Sequence, residues 1–317
     1  MSARSLGIAA LASSILVGAH AQTLGSDELA VWPVRDGIYM IVGEGGNTTV
    51  QVGEHGVLVV DTKLATASDA LLAAIRKISD KPIRYIVNTH WHADHVGSNE
   101  AVAKAGSTIA GGNVSGAIAD AGEGAAVIAH ENVLVRMSSQ DPPPPFTAWP
   151  TDTLFVPRKD LYFNGEAIEI LHQPSAHTDG DSLVFFRRTD VVSTGDVFTT
   201  TGYPVIRPED GGSIDGVVAA LNHIIEITVP EEKQEGGTLV IPGHGRLCDE
   251  ADVVEYRDMV TIVRDRVAAM IMTGMTLEQV RAAKPTRDYD GMYDEPNGWT
   301  ADMFVAAMYR DIAGASR

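Results

Sequence analysis

Apolar residues fall along this chain in short bursts separated by glycine, proline and polar pairs. The first bursts are Val31-Trp-Pro-Val, Gly37-Ile-Tyr-Met-Ile-Val42, Thr48-Thr-Val-Gln-Val52 and Val57-Leu-Val-Val60. Runs this short, rich in β-branched residues and bounded by turn residues, predict strands. The period then changes. Leu71, Leu72 and Ile75 recur at helical spacing, which predicts a helix from about Ser68, as its cap, to Ile78. Ile83-Arg-Tyr-Ile86-Val87 reads as the next strand. Strand–helix–strand alternation of this kind predicts a mixed α/β fold.

Strands resume near 153–156, 160–163, 167–171, 183–187 and 190–193. Residues 213–227 predict a helix with Ile214, Val217, Val218, Leu221 and Ile225 on one stripe, and His223 inside it as a structural residue. Helices are expected over about 249–272, 276–284 and 300–313, with Met303, Phe304, Ala307 and Met308 packing on the domain. Residues 111–150 form the least regular stretch. Alanine and glycine dominate 111–129, and Asp141-Pro-Pro-Pro-Pro145 blocks a helix. This stretch reads either as a lid or wall beside a site or as a surface connector. His130 lies within it with no neighbouring ligand and is left out of the site.

The segment after the 83–87 strand changes the picture. Asn88-Thr-His90-Trp-His92-Ala-Asp94-His95-Val-Gly97 places three imidazoles and a carboxylate in six residues, in a chain with only 10 His in 317. On a strand or the loop beyond it, these side chains can converge on one point. Imidazole and carboxylate are the ligands that zinc and similar metals favour. Three more candidates share one context, a polar ligand at the edge of a β-like run beside Gly or Pro. They are His177 in Pro174-Ser-Ala-His177, Asp196 after Gly195, and His244 in Pro242-Gly243-His244-Gly245.

The ordered set His90-x-His92-x-Asp94-His95, His177, Gly195-Asp196 and Gly243-His244 resembles the metallo-β-lactamase superfamily of hydrolases. Gly45-Gly46-Asn47 and Gly56-Val-Leu-Val-Val-Asp61-Thr resemble the N-terminal strands of that fold, and the likeness runs over roughly residues 30 to 260. It implies a four-layer αββα sandwich with a metal site at one edge of the two sheets. It also implies that His90, His92 and His177 hold a first zinc, that Asp94, His95 and His244 hold a second, and that Asp196 bridges them. The pattern is nearer the two-zinc, glyoxalase II-type branch than the best-known β-lactamases, one large subclass of which has a cysteine where Asp196 stands and no histidine at position 95. Oxygen-reducing di-iron relatives typically carry a glutamate where His92 stands, so His92 favours hydrolysis. Asp61 is either a partner that fixes a ligand histidine or a strand-end turn residue.

Composition narrows the setting. Residues 1–21 read as a signal peptide: Arg4, an apolar stretch from Leu6 to Val17, and Ala19-His20-Ala21 as a cleavage site. That stretch is too short to span a membrane. A single hydrolase domain is expected over 22–317, located in the periplasm or outside the cell. The formal charge of −18 becomes −19 when residues 1–21, with Arg4 and no acid, are removed. Such a protein repels a polyphosphate backbone, which argues against nucleic acid as a partner. The lone Cys248 excludes an internal disulfide and is expected as an apolar filler beside a helix start.

No Ser-His-Asp set stands out, consistent with a water nucleophile. A zinc-bound water ionises near pH ~7, and Asp94 is the candidate to orient the resulting hydroxide for attack on an acyl carbonyl. The expectation is an exported, β-lactamase-like zinc hydrolase of a small acyl substrate. A lactone or thioester hydrolase is the alternative, and a non-hydrolytic metal protein of the same fold comes after it.

Overall fold

The structure, a computed structural model, describes residues 29–108, 124–295 and 298–315. The leader expected over 1–21 and most of the Ala/Gly-rich run lie outside the described residues. Thirteen strands form two sheets among them. The first contains β1 (Ala30–Arg35), β2 (Ile38–Val42), β3 (Thr48–Gly53), β4 (Gly56–Val60), β5 (Ile83–Val87), β6 (Ala126–His130) and β7 (Asp152–Leu154), in that spatial order. The second contains β8 (Arg158–Phe163), β9 (Glu166–His172), β10 (Ser182–Phe186), β11 (Val191–Ser193), β12 (Leu239–Ile241) and β13 (Cys248–Asp249), also in order from one edge to the other. The helices are α1 (Ser68–Ile78), α2 (Ala93–Val96), α3 (Asn99–Lys104), α4 (Glu131–Ser138), α5 (Ile214–Ile227), α6 (Glu250–Met272), α7 (Leu277–Ala283), α8 (Asp290–Tyr293) and α9 (Ala301–Ala315).

Alternation along the strands explains the layering. Leu58 and Val60 of β4 face inward, where they meet Val184 and Phe186 of β10 in the core between the sheets. Val57 and Val59 face the other way, onto Leu71 and Ile75 of α1 and Val102 of α3. Leu183 and Phe185 of β10 face out against α5, α6 and α9. Strands buried on both faces read as unbroken apolar runs, and each fully buried side chain of this size stabilises by ~1.5–3 kcal/mol. The order helix, sheet, sheet, helix is the αββα sandwich that the resemblance implied.

The pairs β4–β5 and β11–β12 are parallel. Their carboxyl ends meet at one edge of the sandwich. Backbone bonds from Asn47 N to Gly243 O (2.7 Å) and from Ser182 N to Thr89 O (2.8 Å) tie the two sheets together there. In α/β sheets, ligands bind beyond the carboxyl ends of parallel strands.

Three local expectations change. Ser68 starts α1 and does not cap it: the 3-10 turn Ala65–Ala67 leads directly into the helix, and Ser68 Oγ donates to Ala65 O. The irregular stretch contains α4, whose buried Val133 and Met137 sit four residues apart. Its cap is unusual, since His130 Nδ1 accepts from Asn132 N at 3.2 Å. The proline loop does not line the cleft described below but packs beside the ligand segment, with Trp149 in the cluster that holds Trp91 and Val96. It packs on α3, where Asn99 Nδ2 donates to Ala148 O, and it is closed on itself by Trp149 Nε1, which donates to Pro144 O, both at 2.9 Å.

Candidate metal centre

All seven candidate ligands come together at the tied edge. β5 ends at Val87, and residues 88–92 leave it as an extended loop that delivers His90 and His92. α2 then carries Asp94 and His95 on adjacent positions. His177 comes from the β9–β10 loop, Asp196 from the 3-10 turn Gly195–Val197 after β11, and His244 from the loop after β12. Two clusters result, each with its ligand atoms within 4.8 Å of one another: His90, His92, His177 and Asp196; and Asp94, His95, Asp196 and His244.

Asp196 belongs to both clusters through different oxygens. Its Oδ2 lies 3.8 Å from His90 Nε2 and 3.6 Å from His177 Nε2. Its Oδ1 lies 3.1 Å from His95 Nε2 and 3.4 Å from His244 Nε2. Asp94 Oδ2 sits 3.1 Å from His244 Nε2 and 3.6 Å from His95 Nε2.

Partners behind the rings fix their orientation. His90 Nδ1 is 3.1 Å from Thr89 Oγ1, and His177 Nδ1 is 2.7 Å from Val205 O, so both present Nε2. His95 Nδ1 is 2.7 Å from Asp61 Oδ2, and Asp61 is held in turn by Thr89 N (2.8 Å) and Thr89 Oγ1 (2.6 Å). Asp61 thus orients the His95 ring, and its φ of +60° also makes it a strand-end turn residue. Glycines permit the close approach. A Cβ on Gly46 would enter the His95 ring, and one on Gly243 would collide with Asp196 Oδ1.

The residues present fit a metal pair. His90 Nε2 is buried and has no hydrogen-bond partner, which costs ~1–3 kcal/mol unless a ligand fills the place. Burial holds His90, His92 and His177 below the ordinary imidazole pKa, so they stand as neutral donors. The second cluster behaves in the opposite way. Burial pulls His95 and His244 down, but Asp196, with Asp61 at His95 and Asp94 at His244, outweighs it. His95 ends well above its usual value and His244 is pushed up to about 9. The carboxylates draw positive charge to this spot, and a divalent cation supplies it without the protons.

The clusters form the floor of a cleft of about 430 Å³. Its walls include Thr199, Tyr203, Arg207, Glu295 and Trp299. None of these five was singled out from sequence, and neither was Asp210, whose Oδ2 is 3.2 Å from His92 Nε2. Asp210 lies in the turn-like Pro208-Glu209-Asp210-Gly211-Gly212, and nothing in that composition marks a ligand partner. Cys248 is buried and belongs to neither cluster. His130 stacks on His172 at 3.6 Å and His223 bonds Gln173 Oε1 at 3.1 Å, both outside the clusters.

Comparison with known proteins agrees with this arrangement. A 43-residue stretch, 13% of the chain and 8% of the relative, is 51% identical to a linear primary-alkylsulfatase of Pseudomonas sp. (strain ATCC 19151). A 182-residue stretch, 56% of the chain and 46% of the relative, is 25% identical to the 2,4-dinitroanisole O-demethylase subunit alpha of Nocardioides sp. (strain JS1661). The chain thus spans under half the length of these curated relatives. The inverting sec-alkylsulfatase Pisa1 from Pseudomonas sp. shares the fold at a TM-score of 0.64 and 15% identity, over 89% of this chain and 50% of that one. A metallo-beta-lactamase from Pontibacter korlensis does so at 0.57 and 15% identity, over 74% of this chain and 99% of that one. The family model of the metallo-beta-lactamase superfamily matches residues 41–248. With a His/Asp cluster suited to a dinuclear site at the edge of its two sheets, this chain belongs to the metallo-beta-lactamase superfamily.

Proposed function

We propose that the chain hydrolyses small esters that carry a negative charge beside the scissile bond, sulfate esters foremost. The observation that carries this reading is Arg207. Arg207 lines the cleft beside the two clusters, its positive charge is felt by His92, and it has no carboxylate partner among the described residues. A chain of charge −18 repels anions at a distance. An unpaired guanidinium at the site captures them by paired N–H donors. The 51% identity to an alkylsulfatase stretch supports the sulfate ester as the first substrate class.

The reading includes two zinc ions, one on His90, His92 and His177, the other on Asp94, His95 and His244, with Asp196 between them. Bound there, they supply Lewis acidity and lower the pKa of water to ~7. The chain's own groups handle the proton. Asp94 faces the cleft and accepts a proton from the attacking water as its oxygen bonds to the substrate. The ester bond breaks, and the same proton passes to the leaving oxygen. Arg207 holds the substrate's charge throughout.

The test is a panel on the zinc-loaded full chain: an alkyl sulfate, a cephalosporin, a lactone and a glutathione thioester, each with and without chelator. Chelator-sensitive preference for the sulfate supports the proposal. Preference for a cephalosporin, lactone or thioester replaces it with the acyl reading drawn from sequence. We also propose export, on the composition of residues 1–21. Mass spectrometry of protein from the native host is expected to find a chain beginning near Gln22, and a retained Met1 segment in a cytosolic fraction would contradict export.

A further inference from the structure

His92 is the odd member of its cluster. His90 and His177 are held through Nδ1 and offer Nε2. His92 is reversed: its Nδ1 lies 2.9 Å from His177 Nε2, on the cluster side, and its Nε2 points away to Asp210 Oδ2 at 3.2 Å. The spacing His90-x-His92 puts both residues on one side of an extended segment, but it does not decide which nitrogen each ring turns inward.

Asp210 is held in place from several directions. Its N–H donates to Arg207 O, and its carbonyl accepts from Asp179 N, both at 2.9 Å. Its Oδ1 is 3.4 Å from Arg136 Nη1. Arg136, on α4, is clamped by Asp179 through two bonds of 2.7 Å, Nε to Oδ1 and Nη2 to Oδ2. The carboxylate of Asp210 is buried at the end of this network. With Oδ1 facing the Arg136 guanidinium, Oδ2 stands as the acceptor, so His92 Nε2 carries the hydrogen and Nδ1 keeps its lone pair.

From this geometry we infer that Asp210, braced by Arg136 and Asp179, is the positioning residue that selects the His92 tautomer and turns Nδ1 toward the metal site. α4, which supplies no ligand, is thereby coupled to the centre. The inference rests on the proposed metal site but not on the substrate class.

The experiment uses the full chain and the variants Asp210→Ala, Asp210→Asn and Arg136→Met, with folding checked by thermal melting. Zinc affinity is measured by competition with a chelator, and the His92 tautomer by nitrogen-15 histidine spectra. Asp210→Ala is expected to weaken one of two zinc sites by ~10–100-fold, spare the other, and mix the His92 tautomers. Asp210→Asn retains an acceptor and is expected to rescue both readouts. Arg136→Met, which removes the brace only, is expected to weaken the same site by a smaller factor.

Unchanged affinity and tautomer in folded Asp210→Ala would overturn the inference, as would an Asp210→Asn loss equal to that of Asp210→Ala. If Asp210→Ala does not fold, the other two variants decide: a weakened site in Arg136→Met with Asp210→Asn near wild type supports the inference, and unchanged readouts in Arg136→Met, or a wild-type spectrum with His92 protonated at Nδ1, overturn it. A wild type that takes up no zinc refutes the proposed metal site, while its metal-free spectrum still tests the tautomer.

Discussion

Asp61 Oδ2 lies 2.7 Å from His95 Nδ1, in a pair that is almost completely buried. The carboxylate orients the ring so that Nε2 faces Asp94, Asp196 and His244. Asp61→Ala is therefore expected to weaken the zinc site built on His95 by ~10–100-fold, with Asp61→Asn less affected. Chelator competition measures this, and equal affinity in wild type and Asp61→Ala would remove Asp61 from the centre.

Because the two oxygens of Asp196 face different clusters, its loss should be felt twice. Asp196→Ala is expected to lower zinc content at both sites, whereas His95→Ala lowers it mainly at one. Elemental analysis after dialysis distinguishes the two patterns. A single site lost in Asp196→Ala would contradict bridging.

Arg207→Ala should act on substrate charge. The catalytic efficiency toward an anionic ester is expected to fall by ~10–100-fold, mostly through KM, on the scale of a charge-assisted hydrogen bond. A neutral ester of similar size should be nearly unaffected. Equal losses on both substrates would assign Arg207 to folding or to the centre itself.

Cys248 supplies a control on the nucleophile. Burial pushes its thiol up to about 12, so it stays protonated near neutral pH. Thiol and serine reagents should leave activity intact, Cys248→Ser should keep most of it, and chelators should abolish it reversibly. Stoichiometric inactivation by a thiol reagent, with zinc still bound, would argue for a covalent route.

His130 links stability to pH. Burial, and then the stacked His172, lower its pKa to about 4 in the folded chain. The folded state thus binds this proton less readily than the unfolded chain, whose histidine titrates near ~6.5. The stability contribution is complete above pH ~6.5 and is lost as pH falls toward about 4. Melting temperatures of wild type and His130→Asn, which keeps an acceptor for the α4 cap, should converge at pH 4 relative to pH 7. Parallel curves would refute this account.

Much of the fold was legible because burial leaves a periodic trace. The 83–87 strand has the bounds that its apolar pattern predicts, and α1 ends at Ile78 as predicted but includes Ser68 as its first residue. The 213–227 helix is displaced only by Ser213, which caps it by accepting from Gly216 N. α4 was missed because its eight residues are flanked by a Gly/Ala run and four prolines, which hide a two-position apolar signal. The candidate ligands were legible for a different reason: four of the seven are packed into one hexapeptide, and the others repeat one strand-end context.

The sequence by itself determined the strand and helix pattern and the inventory of candidate ligands, since periodicity and residue type are local properties of the chain, while the four-layer order was implied by the family resemblance. Only the tertiary structure decided which oxygen of Asp196 faces which cluster, that Arg207, Glu295 and Trp299 wall the cleft, and that Asp210 backs His92 from 118 residues away. Those relationships depend on how two sheets and their loops meet at one edge. The residues that meet there are ordinary turn and helix-end residues until the fold supplies their neighbours.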